Sequence, residues 1–137
     1  RRERPLGAPP AARRGRGATQ LAAVTPCKSE AFLDEAIERT KSGQPGVLVI
    51  SFSTTWCGPC KVMDPKVDEL SETFAGKAAF IKVMGDKDDN DGVRIMRREG
   101  VRTVPLYQIY KNGAKVDSIS GADPDALIKH IEKHVGS

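Results

Sequence analysis

The chain is poor in residues that would place it in several common classes. Three cysteines in 137 residues are too few for a disulfide framework, and the two histidines lie together near the C-terminus. Aromatic residues make up only 5%, with a single tryptophan, Trp56. No apolar run approaches the roughly 20 residues that a membrane-spanning helix needs. The longest, Val47 to Phe52, has the length of a buried strand. Excess charge is also missing from most of the chain. The net charge is +4, but residues 1–26 hold six arginines against one acid, so that segment carries +5 and the remainder −1. Basicity confined to one end gives no ground for a nucleic-acid-binding domain, and no nucleic-acid partner is expected.

Residues 1–20 are mostly Arg, Ala, Pro and Gly with hardly an apolar side chain. Such a segment does not bury enough surface to offset its ordering entropy. It is expected to be a disordered basic arm or the remnant of an organellar targeting peptide, with residues 21–137 as the folded domain. It holds less serine than such leaders usually do, and the missing initiator Met suggests a start inside a precursor. The rival reading is an arm that touches RNA, a membrane or a large assembly. No aromatic side chain is interleaved in it to stack on bases.

Periodicity and punctuation predict nine elements in the remainder. Leu21 to Thr25 reads as a short edge strand ended by Pro26. Ser29 caps a helix in which Phe32, Leu33, Ala36 and Ile37 recur at helical spacing, ending near Ser42-Gly43. Val47 to Ser53 is a buried strand. A helix follows with Met63, Val67, Leu70 and Phe74 inward, Pro65 inside it where a kink is expected, and a stop at Gly76. Ala78 to Met84 is a strand, residues 85–92 an acidic loop, and Val93 to Glu99 a short helix. Leu106 to Tyr110 and Val116 to Ser120 form a hairpin through Lys111-Asn112-Gly113, with Tyr107 and Tyr110 expected to lie one inward and one near the surface. Pro124 opens a last helix with Leu127, Ile128, Ile131 and Val135 on one face. Early crossovers favour parallel pairing and the late hairpin requires antiparallel pairing. An α/β architecture with a mixed sheet and helices on both faces results.

What the chain does have is Trp56-Cys57-Gly58-Pro59-Cys60, where the central strand hands over to a helix. At a helix start the N–H groups have no internal partners and the dipole favours a thiolate. A lowered thiol pKa makes Cys57 a nucleophile at neutral pH, and Cys60 is close enough in sequence to close a disulfide onto it. A zinc site needs four ligands, and only Cys27, His130 and His134 remain on other elements, so redox chemistry is favoured over metal. Cys27 reads as a small core residue, with a regulatory or dimerising thiol as the alternative. His130 and His134, four apart, suit the C-terminus of the last helix. Asp86 to Gly92 is acidic but does not fit a calcium loop: with Gly92 at the turn, Lys87 and Arg98 would fall on ligand positions.

The WCGPC motif, Lys61 after it, Pro65, the Val104-Pro105 pair, the Lys-Asn-Gly hairpin and Gly121 together resemble the thioredoxin family over about Leu21 to Val135. Val83-Met84-Gly85-Asp86, Arg97-Arg98-Glu99 and Gly121-Ala122-Asp123-Pro124-Asp125 are similar to the thioredoxin-fold modules of chloroplast drought-induced stress proteins. The resemblance implies a thioredoxin fold and a protein-disulfide reductase of the plastid. Cys57, exposed, would attack a target disulfide, and the more buried Cys60 would release the reduced target. Trp56 would wall the thiols, and Gly58 and Gly121 would allow close approach of a partner. Pro59, with Gly58, would set a reducing poise. Val104 would hydrogen-bond an extended target peptide beside a cis Pro105.

The resemblance also implies a thioredoxin reductase or other dithiol donor, with peroxiredoxins and methionine sulfoxide reductases as targets. It implies no tightly bound cofactor and no metal. One position departs from the family. Where a buried Asp commonly assists the second cysteine, this chain has Ser51. Lys82 matches the lysine that pairs with that Asp, and Asp64, four residues beyond Cys60, or a water is expected to take part of its role. The alternative function is a thioredoxin-fold subunit docked in a larger plastid assembly, with incidental redox activity.

Overall fold

The computed structural model describes residues 24–43 and 45–136. The expected arm and the start of the first predicted strand at Leu21 lie outside the described residues. In chain order the elements are β1 (Val24–Pro26), α1 (Glu30–Arg39) with a 3₁₀ turn over Thr40–Ser42, β2 (Val47–Ser53), α2 (Gly58–Thr73), β3 (Ala78–Met84), α3 (Gly92–Arg98), β4 (Leu106–Lys111), β5 (Ala114–Ser120) and α4 (Pro124–Val135). No helix among the described residues is long and apolar enough to cross a membrane.

All seven residues of β2 are buried because both faces of the sheet are covered. The strand order is β1-β3-β2-β4-β5, parallel among the first three and antiparallel through the last two. Val47 and Val49 point to one face, where Met63, Val67 and Leu70 of α2 and Phe74 at its C-cap meet Leu127 and Ile131 of α4. Leu48, Ile50 and Phe52 point to the other, against Leu33 of α1 and Ile95 of α3. The period-2 alternation of a strand thus feeds two cores. Burying each such side chain stabilises the fold by about 1.5–3 kcal/mol.

Local chemistry explains the element ends. The Ser29 hydroxyl accepts the Phe32 N–H at 3.0 Å, capping α1. The Asp123 carboxylate caps α4 through the Ala126 N–H at 3.1 Å, with Pro124 in the first turn. α2 is one continuous helix across Pro65, which lies on its exposed side.

Two expectations are corrected. β5 begins at Ala114, not Val116, because the turn is only the pair Asn112-Gly113, with φ of 55° and 80°, so that Lys111 pairs with Ala114. Both tyrosines of β4 are buried, Tyr107 against the α2/α4 core and Tyr110 against the α1/α3 core. Tyr110 is tolerated inside because its hydroxyl donates to the Glu99 carboxylate, which Arg98 and Lys115 neutralise.

Candidate active site

The turn that carries the cysteines is tied at both ends. The Cys57 N–H donates to the Thr54 carbonyl at 3.3 Å, closing a tight turn directly after β2. The Thr55 N–H and hydroxyl both donate to the Asp86 carboxylate, which holds the turn against the loop after β3. The Thr55 hydrogen bond pulls Asp86 below its ordinary carboxylate value. The Gly85 N–H donates to the Ser53 carbonyl at 2.8 Å, so the two loops leave the sheet together.

Cys57 is the N-cap of α2, in extended conformation with φ −84° and ψ 105°. Its sulfur accepts the Cys60 N–H at 3.2 Å, one of the donors that the first helical turn leaves unpaired. Pro59 falls in that first turn, where a missing N–H costs nothing. Cys57 and Cys60 are joined by a disulfide, with their Cα atoms 5.3 Å apart.

The expectation of an exposed Cys57 is corrected: only 3% of it is accessible, against 2% for Cys60. In the disulfide the Cys57 sulfur turns inward onto the first turn of α2, bonded to Cys60 and accepting its N–H. What stands in solvent is the collar around it. Trp56 is 73% exposed, Val62 is 70% exposed, and Gly58, Pro59 and Lys61 are exposed as well.

Register brings the remaining predicted residues to the same end of the sheet. Phe52 near the end of β2 lies opposite Leu106 at the start of β4, and Leu106 lies opposite Ser120 at the end of β5. Just beyond this row sit Val104 and Pro105, whose peptide bond is cis, and Gly121, whose N–H donates to the Pro105 carbonyl at 3.0 Å. Gly121 has φ +95°, a conformation that side-chain-bearing residues rarely adopt, and open space lies above both it and Gly58.

A thiol pair at a helix N-terminus beside a cis-proline loop on a mixed five-stranded sheet agrees with what known proteins show. The thioredoxin family model matches residues 24–133. The chain belongs to the thioredoxin family. It is 40% identical to a thioredoxin of Malassezia sympodialis over 94 residues, covering 68% of this chain and 86% of that one. It is 32% identical over 119 residues to a chloroplastic M-type thioredoxin of Zea mays, covering 81% of this chain and 69% of that one. A chain in a solved complex of ferredoxin:thioredoxin reductase and thioredoxin f2 superposes with a TM-score of 0.69 at 30% identity, over 82% of this chain and 96% of that one. Thioredoxins are protein-disulfide oxidoreductases, and a Cys57–Cys60 disulfide is the form one takes after reducing a target.

A polar group lies beside α2, one turn beyond Cys60. Lys82 Nζ pairs with Asp64 Oδ2 at 2.9 Å. Ser51 is the cross-strand neighbour of both Lys82 and Tyr107. Burial, reinforced by the Asp64 charge, pushes Tyr107 up to about 12. Tyr107 was read from the sequence only as a strand aromatic and not as part of the site, because its place opposite Ser51 follows from antiparallel register and not from any motif.

The other candidates fall away from the site. Cys27 is buried, its thiol donates to the Ser29 carbonyl at 3.6 Å, and burial raises it to about 11, so it is an unreactive core residue. His130 Nδ1 and His134 Nε2 both contact Asp117 Oδ2, at 2.6 and 3.1 Å, which clasps α4 onto β5.

Proposed function

We propose that the protein reduces disulfides of target proteins in a plastid, with Cys57 as the attacking thiol and Cys60 as the resolving one. The observation that carries this reading is the Cys57 sulfur at the N-terminus of α2, accepting the Cys60 N–H. The same N–H and the helix dipole would hold a thiolate there once the disulfide is reduced. That thiolate displaces one sulfur of a target disulfide, which leaves and takes up a proton. Cys60, having lost its proton, then displaces the target from Cys57, leaving the Cys57–Cys60 disulfide and a target with two thiols. Two electrons and two protons pass to the target, and the cysteine pair is itself the carrier.

Trp56, Val104, Pro105 and Gly121 form the ground on which an extended target segment lies. A plastid setting is supported by the chloroplastic relative and by the arginine-rich leader. A ferredoxin:thioredoxin reductase, present in the complex of the similar thioredoxin f2 chain, is the kind of dithiol donor proposed here. Peroxiredoxins and methionine sulfoxide reductases are proposed targets.

The test is reduction of insulin disulfides with a dithiol donor. The wild-type protein accelerates it, Cys57→Ser does not, and Cys60→Ser accumulates a mixed disulfide that the Cys57→Ser control lacks. Absence of acceleration by the wild-type protein overturns the reading.

A further inference from the structure

Resolution of the mixed disulfide requires Cys60 to lose a proton, yet Cys60 is only 2% exposed. Asp64 is one helical turn further along α2, on the same side as Cys60. It borders a cleft of about 270 Å³ with Ser51, Lys82, Val24, Pro26 and Asp68. The cleft is largely apolar but carries three charged side chains, Asp64, Asp68 and Lys82, and is roomy enough for water; Asp64 is 39% exposed at its side chain, so it exchanges protons with solvent. The charged and titratable groups facing it are Lys82 from β3, Tyr107 from β4 and Asp68 from its own helix.

We propose that Asp64, held by Lys82 at the mouth of this cleft, is the proton acceptor for Cys60 in the resolving step. The inference rests on the reductase reading above. The Cys60 S–H proton passes one turn along α2 to the Asp64 carboxylate, which hands it on to water in the cleft. The Cys60 sulfur bonds to the Cys57 sulfur, the bond from Cys57 to the target breaks, and the departing thiolate takes up a proton from the solvent that Asp64 reprotonates. A carboxylate on the helix thereby serves a strand position that carries only a hydroxyl.

A stoichiometric reaction of the reduced protein with a chromogenic aryl disulfide separates the steps, because the first aryl thiol is released by Cys57 and the second by Cys60. Asp64→Asn leaves the first release unchanged. It slows the second at neutral pH by about a hundredfold, the lower end of what a positioned proton acceptor contributes. The deficit shrinks as pH rises and Cys60 ionises unaided. Adding Ser51→Asp to Asp64→Asn restores the second release, and Asp64→Glu, which keeps the charge, shows that loss of the carboxylate and not misfolding is being read. A second release unchanged by Asp64→Asn, or slowed by one factor at every pH, overturns the proposal. An absent first release in the wild-type protein would instead sink the assignment of Cys57 as nucleophile.

Discussion

The Cys57 sulfur caps the helix that Cys60 belongs to: a side chain proposed as the attacking nucleophile also occupies the N-cap position of α2 and accepts the Cys60 N–H. The two roles can be separated by substitution. Serine is a good N-cap and alanine a poor one. In the reduced proteins Cys57→Ala is therefore expected to be less stable than Cys57→Ser by about 1 kcal/mol, the usual value of an N-cap. Both should be equally inactive, and urea unfolding curves alongside the insulin assay would show it. Equal stabilities would mean that the contact contributes nothing in the dithiol state.

Asp117 sets an acid limit on the fold. Burial would raise its pKa, but hydrogen bonds from His130, His134 and the Ser118 N–H outweigh this and hold it below the usual 3.8. A carboxylate lowered in the folded state contributes stability above its unfolded value and loses it as pH falls through the folded value. Stability should therefore drop below about pH 3.8, and Asp117→Asn should flatten that part of the curve while lowering stability near neutrality. Thermal unfolding across that range is the measurement. An unchanged acid limb in the variant would contradict it.

Cys27 should be silent in thiol chemistry. With burial raising it to about 11, iodoacetamide added to the reduced native protein should modify Cys57 and leave Cys27 unlabelled until denaturant is present. Peptide mass mapping reads this directly. Labelling of Cys27 at a rate near that of Cys57 would show that α1 opens at Ser29.

Leu33 and Ile131 are each fully buried, one in each core. Leu33→Ala and Ile131→Ala should each cost about 2–5 kcal/mol. They touch opposite faces of the sheet, so the double variant should be close to additive. Denaturant titration of the three variants tests both statements.

Much of this architecture could be read from residues alone, for identifiable reasons. β3, Ala78 to Met84, and the β2 run ending at Ser53 match their predicted bounds because an apolar run between breakers leaves little freedom. The Ser29 cap and the Pro124 start were legible because capping depends on one side chain and its immediate neighbours. The start of β5 was not, since the two-residue turn extends the ladder through Ala114 and Lys115, which have no strand-like composition. In the site, Cys57, Cys60 and the Val104-Pro105 pair carry local motifs. The Tyr107–Ser51 contact depends on pairing between strands more than fifty residues apart, and the burial of Cys57 depends on the direction its sulfur takes once bonded to Cys60.

The row Phe52, Leu106, Ser120 joins β2 to a hairpin, β4 and β5, that lies more than fifty residues further along the chain. A partly synthesised polypeptide ending before β4 would already carry both thiols but no ledge on which to seat a client. Seating a client would therefore wait for the hairpin of β4 and β5, although the thiols themselves lie earlier in the chain.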